Sequence, residues 1–162
     1  MADLITHGAL AWLLGRPLRL AGARALFVTG ALLPDLLSRL PGIVFTGLAV
    51  VVPGVPEMLR LGWDPLHMPV GMVLSSLLVA QLFATGRRGA AFSALLGGQL
   101  FHLAIDLLQR HLGPGYLLLY PFSHAHSELG LVGSEDSVLV APILAIAVLV
   151  DVLLDRRKAG KG

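Results

Sequence analysis

His7, His67, His102, His111, His124 and His126 are the residues of this sequence best suited to chemistry, and Asp35, Asp106 and Glu128 stand at intervals that can meet them. Imidazole and carboxylate together form the ligand set of zinc, and they also serve manganese and iron. The chain has no cysteine, which excludes disulfides, thiolate ligands and cysteine nucleophiles. His102 and Asp106 are four residues apart and so share one helix face. An ionisable residue at the centre of an apolar helix costs roughly 2.5–3.5 kcal/mol on insertion scales, and such residues usually mark function. Two metal ions sharing a carboxylate would activate water and clamp a phosphoryl oxygen.

Other catalytic schemes find less support. Ser123 beside His124, or Ser127 beside His126, suggests a serine hydrolase, but sequence neighbours rarely form a triad and no G-x-S-x-G elbow is present. Gly97-Gly98 lies inside an apolar helix and reads as a packing device, as does nearby Ser93. Each candidate ligand also has a plain structural use. His7 suits an interface, Asp35 after Pro34 suits a helix end, and His102 with Asp106 suits a hydrogen-bonded pair. His111, His124 and His126 fall in a loop, and Glu135 and Asp136 serve as caps of the last helix. Their gathering toward one membrane face is what favours a site.

The elements that must position these residues are helices. Of 162 residues, 56% are hydrophobic and 14% charged, against about 25% charged in a soluble domain. Mean hydropathy is +0.80. Five apolar segments, about Leu4–Leu14, Ala23–Leu37, Met68–Ala84, Ala90–Leu108 and Ser137–Leu154, predict an all-α polytopic transmembrane bundle. The first is short for a full crossing. Between the second and third, Ile43–Val52 is bracketed by Pro41, Pro53 and Pro56 and reads as a re-entrant or interfacial segment. Leu112–Phe122 reads similarly, with Tyr116, Tyr120 and Trp63 at the headgroup level. Residues 1–155 then form one integral-membrane domain, and 156–162 a basic cytoplasmic tail.

Arg16, Arg19 and Arg24, then Arg87 and Arg88, then Arg156, Arg157, Lys158 and Lys161 fall on the same side of five spans. The positive-inside rule makes that side cytoplasmic, in an inner membrane of bacterial type, with the N-terminus outside. Short basic clusters between apolar runs argue against nucleic-acid binding despite the formal charge of +2. The first residues lack the basic region of a cleavable signal peptide, so the first apolar segment is expected to be retained.

Thr6-His7, Gly30-Ala-Leu-Leu-Pro-Asp35, Leu66-His67, Gly98-x-x-x-His102-x-x-x-Asp106 and Tyr120-Pro-Phe-Ser123 resemble the YdjM-like inner-membrane metal-dependent hydrolases. The order of ligands is also similar to that of the zinc-dependent phospholipase C and S1/P1 nuclease group. That likeness implies metal ligands at His7, Asp35, His67, His102 with Asp106, His111, and His124 with Glu128. It implies phosphoester hydrolysis, with Asp35 or Asp106 bridging metals or orienting water. One departure stands out. Many YdjM-like proteins carry a further histidine shortly before the one matched by His67, where this chain has Gly62-Trp-Asp-Pro-Leu, leaving Asp64 as a substitute, and Met68 replaces a usual Ser or Thr.

The expectation is a divalent metal, zinc before manganese or iron, held chiefly by His67, His102, Asp106 and Asp35, then His7, with His124, His126 and Glu128 behind them. The partners are membrane lipid and an amphiphilic or phosphorylated substrate. A non-catalytic assembly subunit with a vestigial polar cluster is the alternative. A metal or proton carrier is disfavoured because Val138–Val150 offers no polar path.

Overall fold

A computed structural model describes residues 4–18, 20, 22–52, 62–110 and 115–159. It is all-helical: α1 (Leu4–Leu14), α2 (Arg24–Val51), a 3-10 turn (Asp64–His67), α3 (Pro69–Ala80), a second 3-10 turn (Thr85–Arg87), α4 (Arg88–Leu108) and α5 (Ser134–Ala159). Among the described residues the only β pairings are two isolated bridges, Gln109 with Val132 and Tyr116 with Ser127.

Arg24–Leu48 and Thr85–Leu108 are long and apolar enough to cross a membrane. At 1.5 Å per residue, α1 and α3 are only about 16–18 Å long, short of the roughly 30 Å hydrocarbon core. The expectation of five spans is therefore met in helix number, while among the described residues two helices meet full crossing length and composition.

The second half of α2 corrects the expected boundary at Leu37. The helix runs through both Pro34 and Pro41 to Val51, so Ile43–Val51 continues it and is not a separate re-entrant piece. Each proline forfeits one backbone bond and crowds the preceding turn, yet the helix continues, although Ile43, Val44, Val50 and Val51 beyond Pro41 are exposed. Phe45 stacks on Trp63 with ring centroids 6.4 Å apart, so Trp63 packs on α2 as well as lying outside the helices. Asp35 is consequently near the middle of α2, not at its end. Pro53, Pro56 and Arg60 lie outside the described residues, as does His111.

The backbones of α2 and α4 touch. A Cβ on Gly98 would lie 2.0 Å from Phe27 O, and one on Gly30 would lie 2.2 Å from Leu95 O. Only glycine permits this approach, as the Gly97-Gly98 pair led one to expect, although Gly97 itself meets the Phe27 ring at an ordinary 3.6 Å. Polar side chains join α3 to α4. Gln99 Nε2 donates to Ser76 Oγ (2.7 Å) and Met72 O (3.1 Å), and Ser75 Oγ donates to Gln99 Oε1 (3.2 Å). Such interhelical bonds bind helices where lipid-like surroundings offer no hydrophobic gain between them.

Polarity is distributed inside out. His7, Asp35, His67, Gln99, His102 and Asp106 are buried, while Leu78, Leu82, Leu139, Ile143 and Ile146 are more than half exposed.

Candidate metal centre

Four segments bring five of the expected ligands together. α1 delivers His7, α2 Asp35, the first 3-10 turn His67, and α4 both His102 and Asp106. Their exposures run from 0 to 4%. Two overlapping groups have donor atoms within 4.8 Å of one another: His7, Asp35 and His102, and His67, His102 and Asp106.

Hydrogen-bond accounting fixes which ring nitrogens face inward. Ala31 O, exposed to α4 by the glycine contact, lies 2.7 Å from His102 Nδ1. A carbonyl only accepts, so Nδ1 carries the proton and Nε2 is left with its lone pair. Ser38 Oγ donates its one proton to Pro34 O at 2.8 Å, so it accepts from His67 Nδ1 at 3.1 Å. The neutral His67 ring therefore also turns a bare Nε2 inward.

These two nitrogens and Asp106 Oδ2 form a nearly equilateral triangle of acceptors. His67 Nε2 is 3.1 Å from His102 Nε2 and 3.1 Å from Asp106 Oδ2, and His102 Nε2 is 3.3 Å from that oxygen. Three acceptors at such spacing repel one another unless a cation, either a proton or a metal ion, lies among them. A tetrahedral zinc with bonds near 2.0–2.1 Å holds its ligands about 3.3 Å apart. The donor set and spacing fit such an ion. Asp35 Oδ1 flanks the triangle, 3.9 Å from His102 Nε2 and 3.8 Å from His67 Nδ1. His7 Nε2 sits 3.3 Å from Asp106 Oδ1, and its ring stacks on His102 with centroids 3.9 Å apart.

Three further residues complete the centre and escaped the sequence reading. Ser38 orients His67. Arg39 pairs with Asp35 Oδ1 through Nε at 2.8 Å and approaches Asp106 Oδ2 at 3.9 Å. Tyr116 donates a short hydrogen bond to Asp106 Oδ2, and it is 7% exposed. Burial, then the Asp106 charge, raises its phenol pKa well above the usual value, so it acts as a neutral donor. Ser38 and Arg39 follow Asp35 at i+3 and i+4, a helical signal hidden by ending the helix at Leu37.

The remaining candidates lie elsewhere. His124 is exposed and meets the edge of Tyr120 with centroids 6.2 Å apart. His126 is exposed and bonds Gly115 O through Nδ1 at 2.9 Å. Glu128 and Asp64 are exposed, and neither belongs to the two ligand groups found among the described residues. Asp136 Oδ2 accepts from Gly133 N at 3.1 Å, in keeping with a cap on α5.

No family model, curated protein or solved structure matches this chain. The geometry of the centre is thus the ground for any functional reading.

Proposed function

We propose that the chain is a membrane-embedded, metal-dependent hydrolase of a phosphoester or related ester bond, in a lipid or other amphiphile. The observation that carries this reading is the triangle of His67 Nε2, His102 Nε2 and Asp106 Oδ2, whose 3.1–3.3 Å edges suit one divalent cation. Zinc is the ion that best suits two imidazoles and a carboxylate, with manganese or iron next. Such an ion supplies Lewis acidity and lowers the pKa of water.

The protein's own groups then have separable tasks. Ala31 O and Ser38 fix the two imidazole tautomers, as outer-shell partners commonly do. Tyr116 holds Asp106 in place, and Asp35, beside the triangle, is placed to join the ion's ligands or to orient water. Exposed aliphatic side chains around this polar interior support a lipid environment. The starts of α2 and α4 lie side by side, with Ala23 and Ala90 lining one cleft, and Arg16 and Arg24 meet the end of α5. Basic clusters at one end support a cytoplasmic assignment for that end, and with it the inner-membrane topology.

A second reading, a non-catalytic assembly protein, draws on Arg39, whose pairing with Asp35 gives the cluster an internal cation. Metal analysis of protein purified in detergent separates the two. The hydrolase reading expects near-stoichiometric metal in wild type and its loss in His102→Ala. A folded wild type that takes up no zinc, manganese or iron would sink it.

A further inference from the structure

Arg39 is unlike every other member of the centre. It is a permanent cation, and its side chain is 26% exposed while those of Asp35, His67, His102 and Asp106 are 0–6% exposed. It is therefore the member of the centre that reaches furthest toward the outside. Its guanidinium reaches toward both carboxylates, through Nε to Asp35 and through the other arm toward Asp106.

Charge balance says what this cation does once a metal is present. With the imidazoles neutral, two carboxylates and one guanidinium leave the centre with one negative charge. A divalent ion turns that into one positive charge. Uncompensated charge in a buried site is expensive, so the loaded centre favours a ligand with a single negative charge. Binding of Asp35 and Asp106 to the ion also weakens their hold on Arg39. A freed guanidinium beside a metal presents a planar fork of donors suited to phosphoryl oxygens.

We propose that Arg39 is the anion-recognition residue of this centre, and that it binds a phosphoryl group carrying one negative charge, as in a phosphodiester. This rests on the metal reading and names the substrate class for that site. A lipid headgroup and a soluble diester share the chemistry.

The test uses the full chain in detergent, titrated with zinc and then with diethyl phosphate, dihexanoylphosphatidylglycerol or the uncharged triethyl phosphate. Zinc-loaded wild type is expected to bind one or both anionic diesters and not the triester, and the metal-free protein neither. Binding of the lipid alone assigns the ligand to a headgroup with its chains; binding of both assigns it to the diester itself. Arg39→Gln is expected to weaken anion binding roughly 10- to 100-fold, as loss of charge-assisted bonds does, while zinc binds at least as well because a competitor for Asp35 is gone. Arg39→Lys, which keeps charge without the fork, is expected to fall between, and it carries the test if Arg39→Gln does not fold. Equal diester binding by wild type and the variants, equal binding of the triester, or no diester binding by zinc-loaded wild type overturns the proposal. Absence of zinc binding instead defeats the metal reading beneath it.

Discussion

Two carboxylates, Asp106 and Asp151, each gather a cluster against α1, and they do so with opposite chemistry. Asp106 is surrounded by His7, His67, His102 and Tyr116. Asp151 is surrounded by Arg16 at 2.9 Å, Arg24 at 2.9 Å and the Trp12 indole at 3.0 Å, with the Arg24 guanidinium 3.8 Å over the Trp12 ring. Arg16 also pairs with Asp155. Permanent donors saturate Asp151, so nothing further is needed there and nothing can easily enter. Imidazoles donate or accept according to where their protons lie, and here outer partners hold the protons of His67 and His102 on the far side. The Asp151 cluster is a clasp between helices; the Asp106 cluster is a set of acceptors whose spacing fits a cation.

The sharpest way to break this contrast is to neutralise each carboxylate in turn. Asp106→Asn is expected to lower zinc affinity by more than about 100-fold, beyond the 10- to 100-fold that loss of an outer-shell partner costs. Asp151→Asn is expected to leave zinc affinity unchanged and to lower the melting temperature slightly, by an amount that shrinks with salt because the Arg16 and Asp155 side of the cluster is exposed and screened. Equal zinc loss in the two variants would erase the distinction. Ser38→Ala probes the orienting shell and is expected to weaken zinc about 10-fold, read by competition with a chromophoric chelator; no change would mean the His67 tautomer is set by something else.

The smallest expected effect is at Tyr116. Its folded-state pKa is raised by burial and by Asp106, so the unfolded chain releases this proton first as pH climbs past about 10. Stability contributed by the buried phenol is therefore complete below that pH and declines above it. Phenolate absorbance at pH 11 should be the same in folded wild type and Tyr116→Phe. A larger signal from wild type would show that Tyr116 ionises in place.

Legibility of the sequence followed the same divide. α1 ends where its apolar run ends, and α4 carries His102 and Asp106 on the face their spacing requires. His7, Asp35 and His67 could be grouped with them by residue type, since buried charge in apolar surroundings is costly enough to be informative. Ser38 and Arg39 were hidden because Pro41 looked like a terminus, and one forfeited hydrogen bond does not end a helix that continues to Val51. Tyr116 was hidden for another reason: it arrives from a loop, where no periodicity says which way a side chain turns. Asp151 lies just beyond the apolar stretch searched for polar groups, and the arginines that bind it read equally well as topology signals.

The Gly30–Gly98 contact has a consequence for the order of events in the life of the molecule. His102 is aimed by Ala31 O, a carbonyl it can reach only because the two backbones touch. The triangle is then closed by His67 from a separate segment. No helix carries more than two of these ligands, so the ion has no adequate foothold on an undocked chain. Any metal uptake would therefore follow the docking of α2 on α4, and the ion would be a late seal on assembly rather than a nucleus for it.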